Sequence, residues 1–130
     1  MQISDAEWFV MNLVWSRKSV DARAVVDELA EKHGWSPATI KTMLHRLVKK
    51  GALQHEVDGI RYLYRAKVRR DECIRKESRS FLERVFGGQA APALLHLVRN
   101  SKLSGEEIQE IQALLDAKNQ KSNHRKGSKE

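Results

Sequence analysis

Lys41, Thr42, His45, Arg46 and Lys49 recur at helical spacing within residues 36–51, and no carboxylate interrupts them. On a helix that spacing puts all five on one side together with Ala38, while Ile40, Met43, Leu44, Leu47 and Val48 fall on the other. The chemistry open to the polar side is binding rather than bond-making. Lys41 and Arg46 can donate to guanine O6 or N7, or to phosphates; Thr42 can donate to an oxygen or touch a thymine methyl. Lys49 and Lys50, near the far end, suit backbone phosphates, which position a protein without specifying a sequence. The amides of Ala38 and Thr39 at the helix start offer a further seat for a phosphate. A solvated helix face normally mixes both signs of charge, and this one does not.

Other chemistries find little support. His33, His45, His55, His96 and His124 show no metal-ligand spacing, so neither a metal nor a cofactor is expected. The single cysteine, Cys73, excludes an intramolecular disulfide and a multi-thiolate site, and is expected to be an ordinary helix residue. There is no glycine-rich phosphate loop, nucleophile elbow or convergent set of carboxylates, so an enzyme is not expected.

The chain has 130 residues and a formal net charge of +7. Residues 36–70 carry nine basic side chains against two acidic, and 118–130 carry five against one, whereas the remainder is mildly acidic. Such concentration is the pattern of a polyanion-binding surface. No apolar run approaches the ~20 residues of a membrane span, and no signal-like segment opens the chain; a cytoplasmic protein without membrane insertion is expected.

Strong local signals set the elements that must position the basic face. Ser4 and Glu7 form a capping box, with Ile3 and Trp8 placed as a hydrophobic staple, starting a helix over about residues 4–16. Asp21 caps a second helix, about 21–33, that stops at Gly34. Ser36 caps the third, Pro37 takes its first position and Gly51 ends it. Asp58-Gly59 then divides two runs rich in Val, Ile and Tyr, the mark of a β-hairpin. With those two residues at the turn, Leu53/Tyr64, His55/Tyr62 and Val57/Ile60 pair on one face and Glu56/Arg61 on the other. Arg61, beside the turn, is the expected wing contact to DNA backbone or minor groove.

The second half reads as helical. Ile74, Phe81, Leu82 and Val85 form a stripe over residues 70–86, ending at Gly87-Gly88. Leu94, Leu95, Leu97 and Val98 make a short helix apolar almost all round. Ser104 and Glu107 repeat the capping box ahead of Ile108, Ile111, Leu114 and Leu115. These ~47 residues hold too little core for an independent monomeric domain, so pairing with a second copy is expected. The tail 118–130 lacks periodicity and large apolar residues, and reads as a disordered basic tail.

Three helices and a hairpin in this order are those of a winged helix-turn-helix, whose third helix enters the DNA major groove. The expected fold is therefore mainly α with a small β-hairpin: a winged helix-turn-helix domain over 1–69, then C-terminal dimerisation helices over 70–117. A winged helix used as a protein-interaction module, docking an acidic partner, is the alternative.

The segments "ISDAEWFVM", "WSPATIKTMLHRLVKKGAL", "YLY", "ESRSFLERVFGG" and "LSGEEIQEIQALL" resemble the penicillinase/methicillin-resistance repressor family, the BlaI/MecI/CopY family. The resemblance runs from Ile3 to Leu115 in family order. It implies a homodimeric bacterial transcriptional repressor that binds double-stranded operator DNA with two-fold symmetric TACA/TGTA-like half-sites. The operon it points to is β-lactamase-like or one of cell-wall stress. By position it implies DNA contacts at Thr39, Lys41, Thr42 and Arg46, a wing contact at Arg61, and dimerisation through the helices of 70–117. It also brings in a membrane sensor protease as inducer, acting in this family at an Asn-Phe bond.

The chain departs from the family at three places. Phe9 stands where a polar residue is usual, and Ala38 where many members have lysine. His96-Leu97 stands at the position of the cleaved Asn-Phe bond, which argues against the same protease here. The tail also lacks the cysteine cluster of the copper-responsive members.

Overall fold

The computed structural model describes the backbone of residues 1–129 and the side chains of residues 1–123. Its elements run α1 (Asp5–Arg17), β1 (Val20–Asp21), α2 (Ala22–His33), α3 (Pro37–Lys50), β2 (Leu53–Asp58), β3 (Arg61–Ala66), α4 (Arg70–Phe86), α5 (Ala90–Asn100) and α6 (Gly105–Lys129). The chain divides into two units, Met1–Ser78 and the part from Arg79 onward.

Each expected cap is formed. The Glu7 amide donates to the Ser4 hydroxyl and the Ser4 amide to the Glu7 carboxylate, so α1 opens on a reciprocal capping box. Asp21 accepts from the Ala24 amide and Ser36 from the Thr39 amide. At the end of α3, Gly51 takes the left-handed conformation at φ 86°. Its amide bonds to Val48 and that of Ala52 to Leu47, closing a Schellman turn that leads the chain into β2. A Cβ at Gly51 would meet no neighbour, so its backbone conformation, not space, is what calls for glycine.

The core of the first unit gathers Val10, Met11 and Val14 of α1, Val25 and Leu29 of α2, Ile40, Met43, Leu44 and Leu47 of α3, and Leu53 of β2. Trp8 and Trp15 are half-buried against it, rather than fully inside. Phe9 is half exposed and lies across His33, which stacks on Trp35. Cys73 packs against the same core, and burial, foremost among its surroundings, pushes its thiol up and away from the reactive thiolate.

The hairpin differs in register from the expectation. Leu53 pairs with Ala66, His55 with Tyr64, Val57 with Tyr62 and Asp58 with Arg61, so Gly59-Ile60 makes the turn. Gly59 has φ 66°, and Ile60 is not among the positive-φ residues. A turn with positive φ only at its first central position has the type II′ pattern, and Gly59 supplies it, leaving Asp58 in the strand. The shift is by two residues, so the residues sharing a face are unchanged while their partners move. Glu56 consequently meets Arg65, at 3.7 Å, instead of Arg61. A third strand also appears: β1 pairs antiparallel with β3, giving the order β1-β3-β2.

The start of α4 belongs with the first unit, not with the helices that follow. Arg70 Nε donates to Asn12 (3.4 Å), Lys76 Nζ to the Met1 carbonyl (3.2 Å), and the Trp15 indole to the Val68 carbonyl (3.1 Å). The division of the chain after Ser78 lies about two helical turns beyond the expected boundary between residues 69 and 70.

In the second unit α6 starts on the expected box, with Ser104 and Glu107 exchanging hydrogen bonds. It then continues past Leu115 to Lys129, so 118–123, read from the sequence as the start of a disordered tail, are helical. No Pro or Gly occurs between Gly105 and Gly127, and Lys, Gln and Ala are good helix formers, so nothing local stops the helix where the apolar stripe ends. Residue 130 and the side chains from His124 onward, which complete that basic tail, lie outside the described residues. Among the described residues no helix is long and apolar enough to cross a membrane.

Candidate nucleic-acid interface

α3 is held by one side and open on the other. Ile40, Leu44 and Leu47 are fully buried and Met43 nearly so, which fixes the helix against α1 and α2. Ala38, Thr39, Lys41, Thr42, His45, Arg46 and Lys49 are all exposed. Among the described residues no ion pair engages Lys41, Arg46 or Lys49. Three uncompensated cations on one rigid helix attract a polyanion, and the spread from Lys41 to Lys49 spans about two turns, the reach of a helix laid in a major groove.

Hydrogen bonding refines the roles of the threonines. Thr42 Oγ1 donates to the Ala38 carbonyl at 3.0 Å, so its hydroxyl proton is engaged and its oxygen and methyl are what it presents outward. Thr39 stands at the helix start, its amide donating to Ser36 Oγ and its hydroxyl 3.0 Å from the same oxygen. The phosphate seat expected at the amides of Ala38 and Thr39 is therefore reduced to Ala38, because the N-cap already satisfies Thr39.

Two of the expected contact residues, Lys50 and Arg61, have carboxylate partners in the structure. Lys50 turns back from the face: its Nζ donates to the Gln2 carbonyl (2.9 Å) and to the carboxylate of Glu7. Glu7 is the one buried charged residue described, only 2% exposed. Burial pushes its carboxyl up, but the Lys50 and Ser4 hydrogen bonds outweigh that and hold it below the ordinary 4.5. Lys50 thus ties the end of α3 to the start of α1.

Arg61 also has partners, Asp58 at 3.2 Å and Asp21 at 3.5 Å. By strand alternation it shares a face with Glu56 and Leu63, opposite the face that carries His55 and Tyr62. Its side chain remains more than half exposed.

The sequence reading missed what stands across from α3. His45, Val48 and Lys49 of α3 and His55, Tyr62 and Tyr64 of the hairpin line a cleft of about 360 Å³. The His55 ring meets Tyr62 edge-on at 5.4 Å, with Tyr64 at 6.2 Å. Burial first, then neighbouring Tyr62, pushes the Tyr64 phenol up, keeping it protonated. No carboxylate lines the cleft. The signal was present in the alternation of β2, where His55 follows Leu53 on the inward face, but a face of mixed rings reads as merely apolar.

In the second unit the residues expected to pair copies are exposed. Leu94, Leu95, Leu97 and Val98 are each about half exposed, as are Ile108 and Leu115, and Val85 is 57% exposed; Ile111 and Phe81 are less so, and Leu82 is half-buried. Ile74 is partly exposed but lies in the first unit. His96 and Leu97 are both within α5, in regular helix.

Comparison with known proteins agrees with this geometry. The family model described as "Penicillinase repressor" matches residues 3–117. The penicillinase repressor of Bacillus licheniformis is 42% identical over 115 residues, covering 88% of this chain and 90% of that protein. The methicillin resistance regulatory protein MecI of Staphylococcus aureus (strain N315) is 34% identical over 117 residues, covering 90% and 95%. Among solved structures, the DNA-binding domain of the repressor BlaI superposes with a TM-score of 0.51 at 44% identity, covering 55% of this chain and 87% of that one. The monomeric form of Bacillus licheniformis BlaI in complex with the blaP half-operator gives 0.50 at 43% identity, covering 55% and 88%.

Proposed function

The chain belongs to the penicillinase repressor family, and from that premise we propose that it is a homodimeric transcriptional repressor that reads a two-fold symmetric operator. The observation that carries the reading is the exposed, carboxylate-free side of α3, braced from behind by the core. Lys41 and Arg46 make the base-edge contacts, Thr42 offers its oxygen and methyl, Thr39 sits at the helix entry, and Lys49 holds backbone. Arg61 reaches the DNA beside the hairpin by exchanging its carboxylate partners for phosphate.

The protein acts by binding and not by catalysis, in the cytoplasm of a bacterium, where operator DNA is found. Two copies pair through α4, α5 and α6, whose half-exposed leucines and isoleucines form more apolar surface than a soluble monomer normally leaves open. A two-fold dimer presents two α3 helices to two half-sites, which is why a palindromic operator is expected. The regulated genes are of the β-lactamase or cell-wall stress type. If a membrane sensor protease is the inducer, the His96–Leu97 bond must first leave α5 by local unfolding, because a protease cleft takes extended backbone.

Titration of a TACA/TGTA palindrome and a scrambled duplex at two salt concentrations tests the reading. A much tighter complex with the palindrome, at two chains per duplex, is expected. Arg46→Ala should weaken that complex by ~1–3 kcal/mol and relax specificity at one position. Equal, steeply salt-dependent binding to both duplexes would sink the repressor reading and leave a basic winged helix that docks some other acidic partner.

A further inference from the structure

We propose that the cleft between α3 and the hairpin seats one sugar–phosphate strand of the DNA, with Lys49, His45 and His55 around the phosphate and Tyr62 beside it, and that DNA binding therefore takes up protons. The inference rests on the DNA-binding reading of α3 and assigns contacts that reading does not contain.

Placement is the first argument. A helix in the major groove and a hairpin over the adjacent minor groove must straddle the strand that separates the two grooves. The space between those two elements is the cleft lined by His45, Lys49, His55 and Tyr62.

Charge is the second. From α3 the groups facing His55 are His45 and Lys49; from β3 they are Tyr62 and Tyr64. None is acidic. The nearest carboxylate on its own strand, Glu56, points to the other face and is paired with Arg65. A phosphate lying among Lys49, His45 and His55 favours their positively charged forms over their neutral ones.

Shape is the third. Val48 and the rings of His55 and Tyr62, which meet edge-on at 5.4 Å, line the cleft and offer apolar surface suited to a deoxyribose. On the hairpin Arg61 is turned to Asp21 and Asp58, so His55, Tyr62 and Tyr64 are the polar side chains that it offers toward the cleft.

Imidazole is the side chain whose ordinary charge change falls between about pH 5 and 8, so proton uptake is measurable there. The full-length chain would be titrated with palindrome and scrambled duplex at about pH 6 and about pH 8 and constant ionic strength, as wild type, His55→Gln and His45→Gln. Wild type should bind both duplexes roughly tenfold tighter at the lower pH, because phosphates carry no sequence information. Each variant should cut that gain to about threefold. Replacing the phosphate between the grooves by an uncharged methylphosphonate should remove the gain from wild type as well.

An unchanged pH gain in both variants overturns the assignment, even where the palindrome is still preferred. Loss of preference for the palindrome tells instead against the repressor reading and leaves the pH gain to judge the cleft. Binding to neither duplex at either pH overturns both.

Discussion

Within residues 1–78, Val10, Met11, Val14, Val25, Ile40, Leu44 and Leu47 are fully buried, while the cations of α3 face outward. From Arg79 onward the distribution is reversed: Leu94, Leu95, Leu97, Val98, Ile108 and Leu115 stand about half exposed, and Ala93 is the only buried residue described. Both parts contain amphipathic or apolar helices with formed caps or glycine stops. They differ in whether other elements of the same unit cover the apolar side. Three helices and a sheet cover one another in the first, and the stability of its fold is local to it. The second has the end of α4 with α5 and α6 and, among the described residues, no further layer to cover their apolar sides; the pairing proposed above would cover them.

The difference can be broken most forcefully in the core. Leu44→Ala should cost about 2–5 kcal/mol in urea unfolding, independent of protein concentration, since the cavity is internal to one unit. A loss below about 0.5 kcal/mol would mean α3 is not braced as described.

A smaller but more diagnostic effect is expected from Leu95→Glu. On a monomer, so exposed a position should tolerate the change within about 0.5 kcal/mol. At a dimer interface it buries a charge, and sedimentation should show dimer dissociation weakened by more than ~2 kcal/mol, roughly thirtyfold. Unaltered association would remove α5 from the interface.

The mildest expected effect concerns the Lys50–Glu7 tie. Lys50→Met keeps the stem but leaves the buried carboxylate without its cation, and should cost about 1–2 kcal/mol near neutral pH. Because the folded-state carboxyl lies below its ordinary 4.5, the stability this group supplies is present above that value and is lost as pH falls through the lower folded value. Urea unfolding across that window should show wild type losing stability faster than Glu7→Gln; parallel curves would contradict the tie. Operator affinity of Lys50→Met, measured where the protein is folded, should stay near wild type, since Lys50 is engaged by Glu7 and the Gln2 carbonyl.

Much of the fold could be read along the chain because its signals are short-range. Ser4/Glu7, Asp21, Ser36/Pro37, Gly51 and Ser104/Glu107 each act within four residues of the helix end they define, and each does so in the structure. The basic side of α3 was legible for the same reason, since helical periodicity places Lys41, Arg46 and Lys49 together whatever surrounds them. Other features depended on partners far along the chain. β1 is two residues long, too short for any alternation to show, and exists only because β3 lies beside it more than forty residues later. The turn could have fallen on Asp58-Gly59 or Gly59-Ile60, and pairing along the whole hairpin selected the second.

The same division applies to single side chains. Charge and spacing determined that the third helix gathers its cations on one side, and the caps determined where it begins and ends. Lys50 has the same chemistry as Lys49 and sits one residue away, yet tertiary structure sends it to Glu7 across forty-three positions of sequence. His55 reads as one more residue of an apolar strand until the sheet sets it against α3. Local backbone bonding decides which residues share a helix face; only packing decides where that face points and what stands opposite it, because that partner is brought there by the rest of the chain.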